Sequence, residues 1–545
     1  MKLKHTSILL LCLATAFISA CEKSKVYEDP YKKGKEPLGV KVNLAVPPTP
    51  QEGEGGTVTT FAATGLIPYE DQIVFSFNGQ EAEIIAVTEN GISVKVPETA
   101  SSGATTLTIG DQVFFGPKFK VIGKISIDPE FRVKGGADKG VNYALAVSDE
   151  RFILVGSFTD YDGRGLISPV NRIVRTFSDG SADVTFRSGG ADGTLNSIVP
   201  LNDKFITGGS FSSFFHERSA LTNINNITRL SSNGEVDSVG VDTYSTTHSI
   251  APGIPATGKK KYVPVFNGGT NSTIDEVFNF QNKIIAVGNF RYYVKHRYDV
   301  PRKPVTIGSI TITSDSLVVD STEAPQVIRL DDKGSLDQTY RTGLAGGNGT
   351  ISNSFMQADG KLVVVGNFNN FDGIAAGRIV RLKSDGTVDA TFNSGLGADR
   401  SIYTITYNAI SNKYLISGSF TSYNGTPAAG VALLNADGSL DNSFSSKGFS
   451  SEGIPVFAKQ LSNGLIIVNG SFTGYNGIRR ASFMVLTPAG ELAKGYNAIG
   501  ELKGSLSDLY ETTTSNGKIA VMLLGAFTEI DGTPVSNITR LVFEN

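Results

Sequence analysis

The sequence predicts an all-β chain in which a small β-sandwich precedes a closed, seven-bladed β-propeller. Two observations carry that prediction. Gly-x-Phe closes an apolar run seven times, at Gly156-Phe158, Gly209-Phe211, Gly288-Phe290, Gly366-Phe368, Gly418-Phe420, Gly470-Phe472 and Gly525-Phe527. Successive glycines lie 53, 79, 78, 52, 52 and 55 residues apart, the self-similarity of an array of like folding units. The second observation is phase. The chain enters the repeat at Asp128–Phe131, its last element, and leaves at Ile538-Thr539-Arg540-Leu541, the element before it. That offset implies a ring whose final blade is completed by the segment around Ile125–Phe131.

The chain has 545 residues, 61 glycines and no tryptophan, with a net charge of −3. That length supports two or more domains with a large core. The near-neutral balance gives no electrostatic case for a nucleic-acid partner.

Residues 1–20 read as a secretory signal: Lys2 and Lys4 precede an apolar stretch from Ile8 to Ile18, too short to span a membrane. Ile18-Ser19-Ala20-Cys21 resembles the lipobox of bacterial lipoproteins. The resemblance implies that Cys21 becomes the lipidated first residue, anchoring the chain to the outer membrane. An ordinary signal with a chance cysteine is the alternative. Cys12, the other cysteine, lies within the signal, so the mature chain is expected to rely on its core without disulfides.

Residues 21–37 are polar and aperiodic and read as a flexible tether. Glu22, Glu28 and Asp29 loosely resemble the acidic surface-export signal of Bacteroidetes lipoproteins, which implies cell-surface exposure. A plain solvated linker is the other reading.

Residues 38–122 carry short alternating strands at 57–61, 72–77, 92–96 and 105–109, with Asn78-Gly79 and Asn90-Gly91 as hairpin turns. Gly55-Gly56-Thr57-Val58-Thr59, Val74-Phe75-Ser76-Phe77-Asn78-Gly79, Ile92-Ser93-Val94-Lys95-Val96-Pro97 and Phe119-Lys120-Val121 resemble an IPT/TIG domain. The resemblance implies an immunoglobulin-like sandwich acting as a spacer.

The repeat fills 124–545. In Phe152-Ile153-Leu154-Val155-Gly156-Ser157-Phe158 both alternating faces are apolar, as in a strand buried on both sides. The glycine permits close backbone approach. Its clearest copy runs from Asp359-Gly360 through Gly366-Asn367-Phe368 and Arg378-Ile379-Val380-Arg381-Leu382 to Asp389-Ala390-Thr391-Phe392. This pattern resembles the delta-60 repeat of secreted and surface bacterial proteins, which implies a β-propeller. The two stretched intervals read as insertions at about 240–275 and 291–325, each too short for a hidden blade. The second is expected to add a hairpin around Thr306–Thr313.

Loops on a rigid scaffold usually carry function, so the insertions hold the candidate ligand-binding residues. They are Tyr292, Tyr293, His296, Arg297 and Tyr298 in one insertion, with Tyr244 and Tyr262 in the other. Tyrosine rings beside basic groups suit a polar ligand such as a glycan; covering a blade edge is the structural alternative. His216, His248 and His296 lack metal-ligand spacing. The Asp/Asn-Gly loops at 162, 372, 424, 476 and 531 fit turn chemistry better than calcium. No nucleophile elbow, phosphate loop or zinc motif occurs, so no cofactor, metal or catalytic residue is expected.

The leading functional expectation is a non-catalytic surface lipoprotein that binds a glycan through the propeller, resembling the glycan-binding proteins of Bacteroidetes polysaccharide-utilisation systems. That resemblance implies an outer-membrane transport partner. A polysaccharide hydrolase or lyase and a structural or protein-interaction module are the alternatives.

Overall fold

In the first domain, Asn78 and Gly79 both take positive φ (45° and 80°). They fold Ile73–Phe77 back onto Gln80–Thr88 through a tight turn. The structure, a computed structural model, describes residues 38–544 apart from 148–149, 167–169, 187–188, 217–218, 223, 243–259, 299–304, 313–317, 393–394 and 451–452. The signal, Cys21, the tether, Tyr244 and His248 lie outside the described residues. No helix among the described residues is long and apolar enough to cross a membrane.

Strands of this domain form one seven-stranded sheet in the order Lys41–Val42, Val58–Thr64, Gly91–Lys95, Gln80–Thr88, Ile73–Phe77, Thr105–Ile109 and Gln112–Phe115. Gln80–Ala82 pairs with Phe75–Phe77, while Glu83–Thr88 pairs with Gly91–Lys95 across a bulge at 84–86. That strand thus serves one neighbour along each part of its length, with the bulge between them. The domain's core is an aromatic cluster of Phe61, Phe75, Phe77 and Phe119, with ring centroids 4.8–6.3 Å apart.

Among the described residues from 125 onward, seven sheets share one plan. In the first, Val141–Val147 pairs with Arg151–Gly156, which pairs with Ile173–Phe177. The inner strands of the others are Thr194–Leu201, Ile274–Phe280, Thr350–Met356, Ile402–Asn408, Pro455–Gln460 and Leu502–Thr513. Each inner strand packs on the next, and Leu502–Thr513 packs on Val141–Val147. The inner strands thus form a circle. Ile125–Ile127 pairs antiparallel with Leu541–Phe543 as the outermost strand of the last sheet, where the phase of the repeat predicts it.

The glycine of Gly-x-Phe has a steric reason. A Cβ at any of its seven copies would stand 2.1–2.3 Å from a backbone oxygen of the neighbouring inner segment. That glycine pairs with the inner-strand residue just before a one-residue register shift, for example Ile351 opposite Gly366 with the shift at 351–353. The shift recurs in the other six sheets. Glycine and bulge are one device: the bulge brings the inner backbone too close for any side chain opposite.

A second device joins the sheets. In Asp389-Ala390-Thr391-Phe392, the Asp389 carboxylate accepts from Arg381 Nε at 2.8 Å while the Phe392 ring lies 4.8 Å from that guanidinium. Arg381 Nη1 then donates to Ala436 O in a turn of the next sheet, at 2.9 Å. Arg175–Asp183–Phe186 and Arg329–Asp337–Tyr340 repeat the clamp.

Both ends of the ring are not alike. Loops after Gly-x-Phe and linkers into the inner strands leave the sheets at one end, because adjacent strands are antiparallel. The second insertion starts there, after Phe290, and the first domain packs there against 498–500; the first insertion starts between Asp237 and Phe266, near the opposite end, where Asp237 meets Lys204. Ser102 N donates to Ala498 O at 2.8 Å, and Arg480, 1% exposed, donates to Thr99 O. Burial lowers the Arg480 guanidinium to about 10.

Candidate functional site

The insertions build a side sheet over the third repeat. Tyr292–Arg297 is its central strand, between Gly268–Thr270 and Val318–Glu323. Ser238–Asp242 and Lys260–Pro264 form a further antiparallel pair, and Val305–Ile307 with Ile310–Ile312 forms the expected hairpin.

That sheet divides the candidate residues. Tyr262 is 69% exposed and Tyr292 37% exposed. Arg297 faces Asp320 at 3.7 Å, with much of its side chain in solvent. Tyr293, His296 and Tyr298 are buried. Lys261 stacks on the Tyr298 ring at 4.8 Å, and Asn267 Nδ2 donates to His296 O at 2.6 Å.

Tyr293 belongs to the scaffold. Its hydroxyl donates to Gly334 O, as Tyr161 does to Gly180 O, Tyr423 to Gly438 O and Tyr475 to Gly490 O. Each stands three residues after the phenylalanine of Gly-x-Phe. That longer repeat, Gly-x-Phe-x-x-Tyr, is the signal that separates Tyr293 from its neighbours. Burial pushes its phenol well above the usual range.

The space inside the circle of inner strands holds groups that no motif marked. Asn142 Nδ2 donates to Leu195 O at 3.0 Å, and Asn196 Nδ2 to Ile274 O at 2.9 Å. Glu276 then accepts from Asn353 Nδ2 at 2.5 Å and from the Ser354 hydroxyl. Thr406 Oγ1 donates to Ala458 O at 2.9 Å, and Lys459 Nζ to Asp508 at 2.9 Å. Polar side chains thus hook one inner strand to the next around the channel. Asn142, Asn196 and Asp275 occupy bulge positions, which turns them off the ordinary alternation.

Burial pushes the Glu276 carboxyl up to about 8; the Ser354 hydrogen bond opposes this, while Asp275 and Asp508 add to it. Burial likewise raises Asp275 to about 6, against a hydrogen bond from Asn289. Tyr143 rises to about 12 by burial, with Asp508 and Glu276 adding. Burial and the neighbouring carboxylates thus favour the neutral form of Glu276.

The Asp/Asn-Gly loops are occupied by their own backbone. Asp162 Oδ1 accepts from the N–H groups of Lys134, Gly135 and Gly136 at 2.8–3.1 Å. Asp372 accepts from Gly346 N at 2.8 Å and from Arg341. Among the described residues no group of three or more His, Cys, Asp or Glu could hold a metal ion. His216 ends the strand Ser213–His216.

Residues 148–186, 357–392 and 411–444 match the family described as "Domain of unknown function (DUF5122) beta-propeller", and 14–117 match "Domain of unknown function (DUF5008)". Each stretch of the first match spans the second and third strands of one sheet and its Asp-x-x-Phe element. No curated protein matches the chain. Among solved structures, the computationally designed Ika8 protein is similar at 10% identity, over 86% of this chain and 98% of that one, with a TM-score of 0.37. The WD40 beta propeller domain of Doa1 is similar at 13% identity, over 78% and 98%, with a TM-score of 0.38. A structural genomics protein of unknown function from Bacteroides thetaiotaomicron is similar at 10% identity, over 92% and 99%, with a TM-score of 0.26. The chain is all-β, and its repeat region is a β-propeller.

Proposed function

We propose that the chain is a non-catalytic glycan-binding lipoprotein of the outer membrane, built on a seven-bladed propeller and displayed at the cell surface through lipid on Cys21. The 38–122 domain is read as the IPT/TIG-like spacer. One observation carries the binding reading: the two insertions meet over one sheet, where Lys261 of one stacks on the Tyr298 ring of the other, while the other blades keep short connections. Side chains gathered on one part of a rigid scaffold form a recognition surface.

On that surface Tyr262 and Tyr292 expose their rings, and Arg297 lies five residues along the strand from Tyr292. Tyrosine combines a flat apolar body with a polar edge, which suits a sugar's C–H face and hydroxyls. An outer-membrane transport partner is part of the same reading. Glycan-array binding by the full chain tests it: binding without turnover, lost in Tyr262→Ala plus Tyr292→Ala, is the expected result. Release of reducing ends or unsaturated products would replace this reading with the enzymatic one. For the anchor, radiolabelled palmitate should enter the chain and fail to enter Cys21→Ser.

A further inference from the structure

We infer a second ligand site, in the cleft between the first domain and the propeller, that takes a neutral, hydroxyl-rich chain such as an oligosaccharide. The cleft measures about 1300 Å³, above the roughly 300–1,000 Å³ that encloses a drug-sized ligand. Domain boundaries are a preferred place for such sites.

One wall is an apolar platform. Phe115 is 67% exposed, ends its strand, and faces the cleft with Leu44, Pro47 and Pro48. An aromatic ring left this open costs solvation unless something covers it.

The remaining walls are rich in donors and acceptors yet electrically balanced. Glu52 pairs with Lys120 at 3.0 Å, and Glu529 with Lys503 at 2.9 Å. Lys118 and Arg479 add two further cations, and Glu501 and Asp531 two further carboxylates. Four charges of each sign line the cleft, so neither a polyanion nor a polycation gains from it. Hydroxyls, which both donate and accept, can use both kinds of group.

An extended polypeptide fits less well, because it would add to a free sheet edge. The free edges of the seven-stranded sheet are Lys41–Val42 and Gln112–Phe115. Of these residues only Phe115 lines the cleft, and the other strand edges there, Glu52–Gly53 with Lys120–Val121 and Thr533–Pro534, are each two residues long. Its walls are also held in place: Arg480 is buried against Thr99, and the Arg479 stem packs on the Asn78-Gly79 turn.

This site stands apart from the insertion tyrosines, so the two can fail separately. The test is native affinity electrophoresis of the full chain in gels cast with neutral β-glucan, mannan or arabinan, beside polygalacturonate and chitosan gels. Retardation by a neutral polymer is expected. Phe115→Ala should weaken it about tenfold without moving the melting temperature, since the ring is exposed. Tyr262→Ala plus Tyr292→Ala should leave this component in place. Retardation that survives Phe115→Ala but falls with the tyrosine pair overturns the cleft and upholds the insertion surface. Retardation by the charged polymers alone, or by no neutral polymer, also overturns the cleft.

Discussion

Arg540 and Asp128 stand 412 residues apart and meet in a buried ion pair, Nε to Oδ2 at 2.6 Å. Phe131 lies 5.1 Å from the same guanidinium, and Nη1 reaches Ser178 O in the first sheet at 2.8 Å. This is the Arg381–Asp389–Phe392 clamp with its halves taken from opposite ends of the chain. The ring is therefore closed by the same joint that holds its interior.

Asp128→Ala should strand a buried guanidinium, which costs about 3–5 kcal/mol. Asp389→Ala should cost a similar amount but leave the seam intact. Hydrogen exchange separates the two. In Asp128→Ala, amides of 538–543 should lose protection first; in Asp389→Ala they should keep it. Equal protection at 538–543 in both variants would show that the seam is held elsewhere.

Gly366→Ala probes the bulge. Its Cβ would stand 2.1 Å from Thr350 O and 3.0 Å from Ile351 Cα, both backbone atoms that cannot rotate away. We expect a loss of about 3 kcal/mol in urea unfolding, where glycine-to-alanine changes at permissive sites gain about 0.4–1 kcal/mol. A neutral result would mean that the inner strand can shed its bulge.

Tyr293 and Tyr262 should part company. Tyr293→Ala removes a buried ring of the scaffold, at a cost of about 3–5 kcal/mol. Tyr293→Phe should cost about 1 kcal/mol through the lost bond to Gly334 O. Tyr262→Ala should leave unfolding unchanged, since its ring is largely in solvent. Thermal melts of the three variants decide it, and a stable Tyr293→Ala would remove that residue from the scaffold.

Much of this was legible in the residues. Gly-x-Phe and the offset between Asp128 and Arg540 announce both the repeat and the place where its ends meet. The clamp was half legible: Asp-x-x-Phe recurs visibly, but its arginine eight residues earlier is read only once the two strands are paired. Tyr293 was readable by aligning it with Tyr161, Tyr423 and Tyr475, and was obscured by the aromatic run Tyr292–Tyr298. Asp275 and Glu276 were not legible, because a bulge breaks the period-2 pattern by which facing is inferred. The cleft at Phe115 depends on how two domains dock, which no local pattern encodes.

Glu276 should make stability depend on pH in an unusual direction. Its folded pKa is raised to about 8 from the ordinary 4.5. Below about 4.5 the group is protonated in both states and its contribution is fully present. Above that, the unfolded chain ionises while the folded one resists, so stability is lost as pH rises through 8. Asp337 has the opposite sign: its hydrogen bond from Thr339, then its pairing with Arg329, hold its carboxyl low, and its contribution is lost as pH falls. Glu276→Gln keeps the neutral shape, with Ser354 free to turn its hydroxyl and accept. At pH 5 the variant and the natural chain should melt together. At pH 8 the variant should be more stable by about 2 kcal/mol, a figure reduced for the water that the channel admits. Melting curves between pH 5 and 9 give the difference directly, and a gap that fails to widen with pH would mean that Glu276 is ionised in the folded channel.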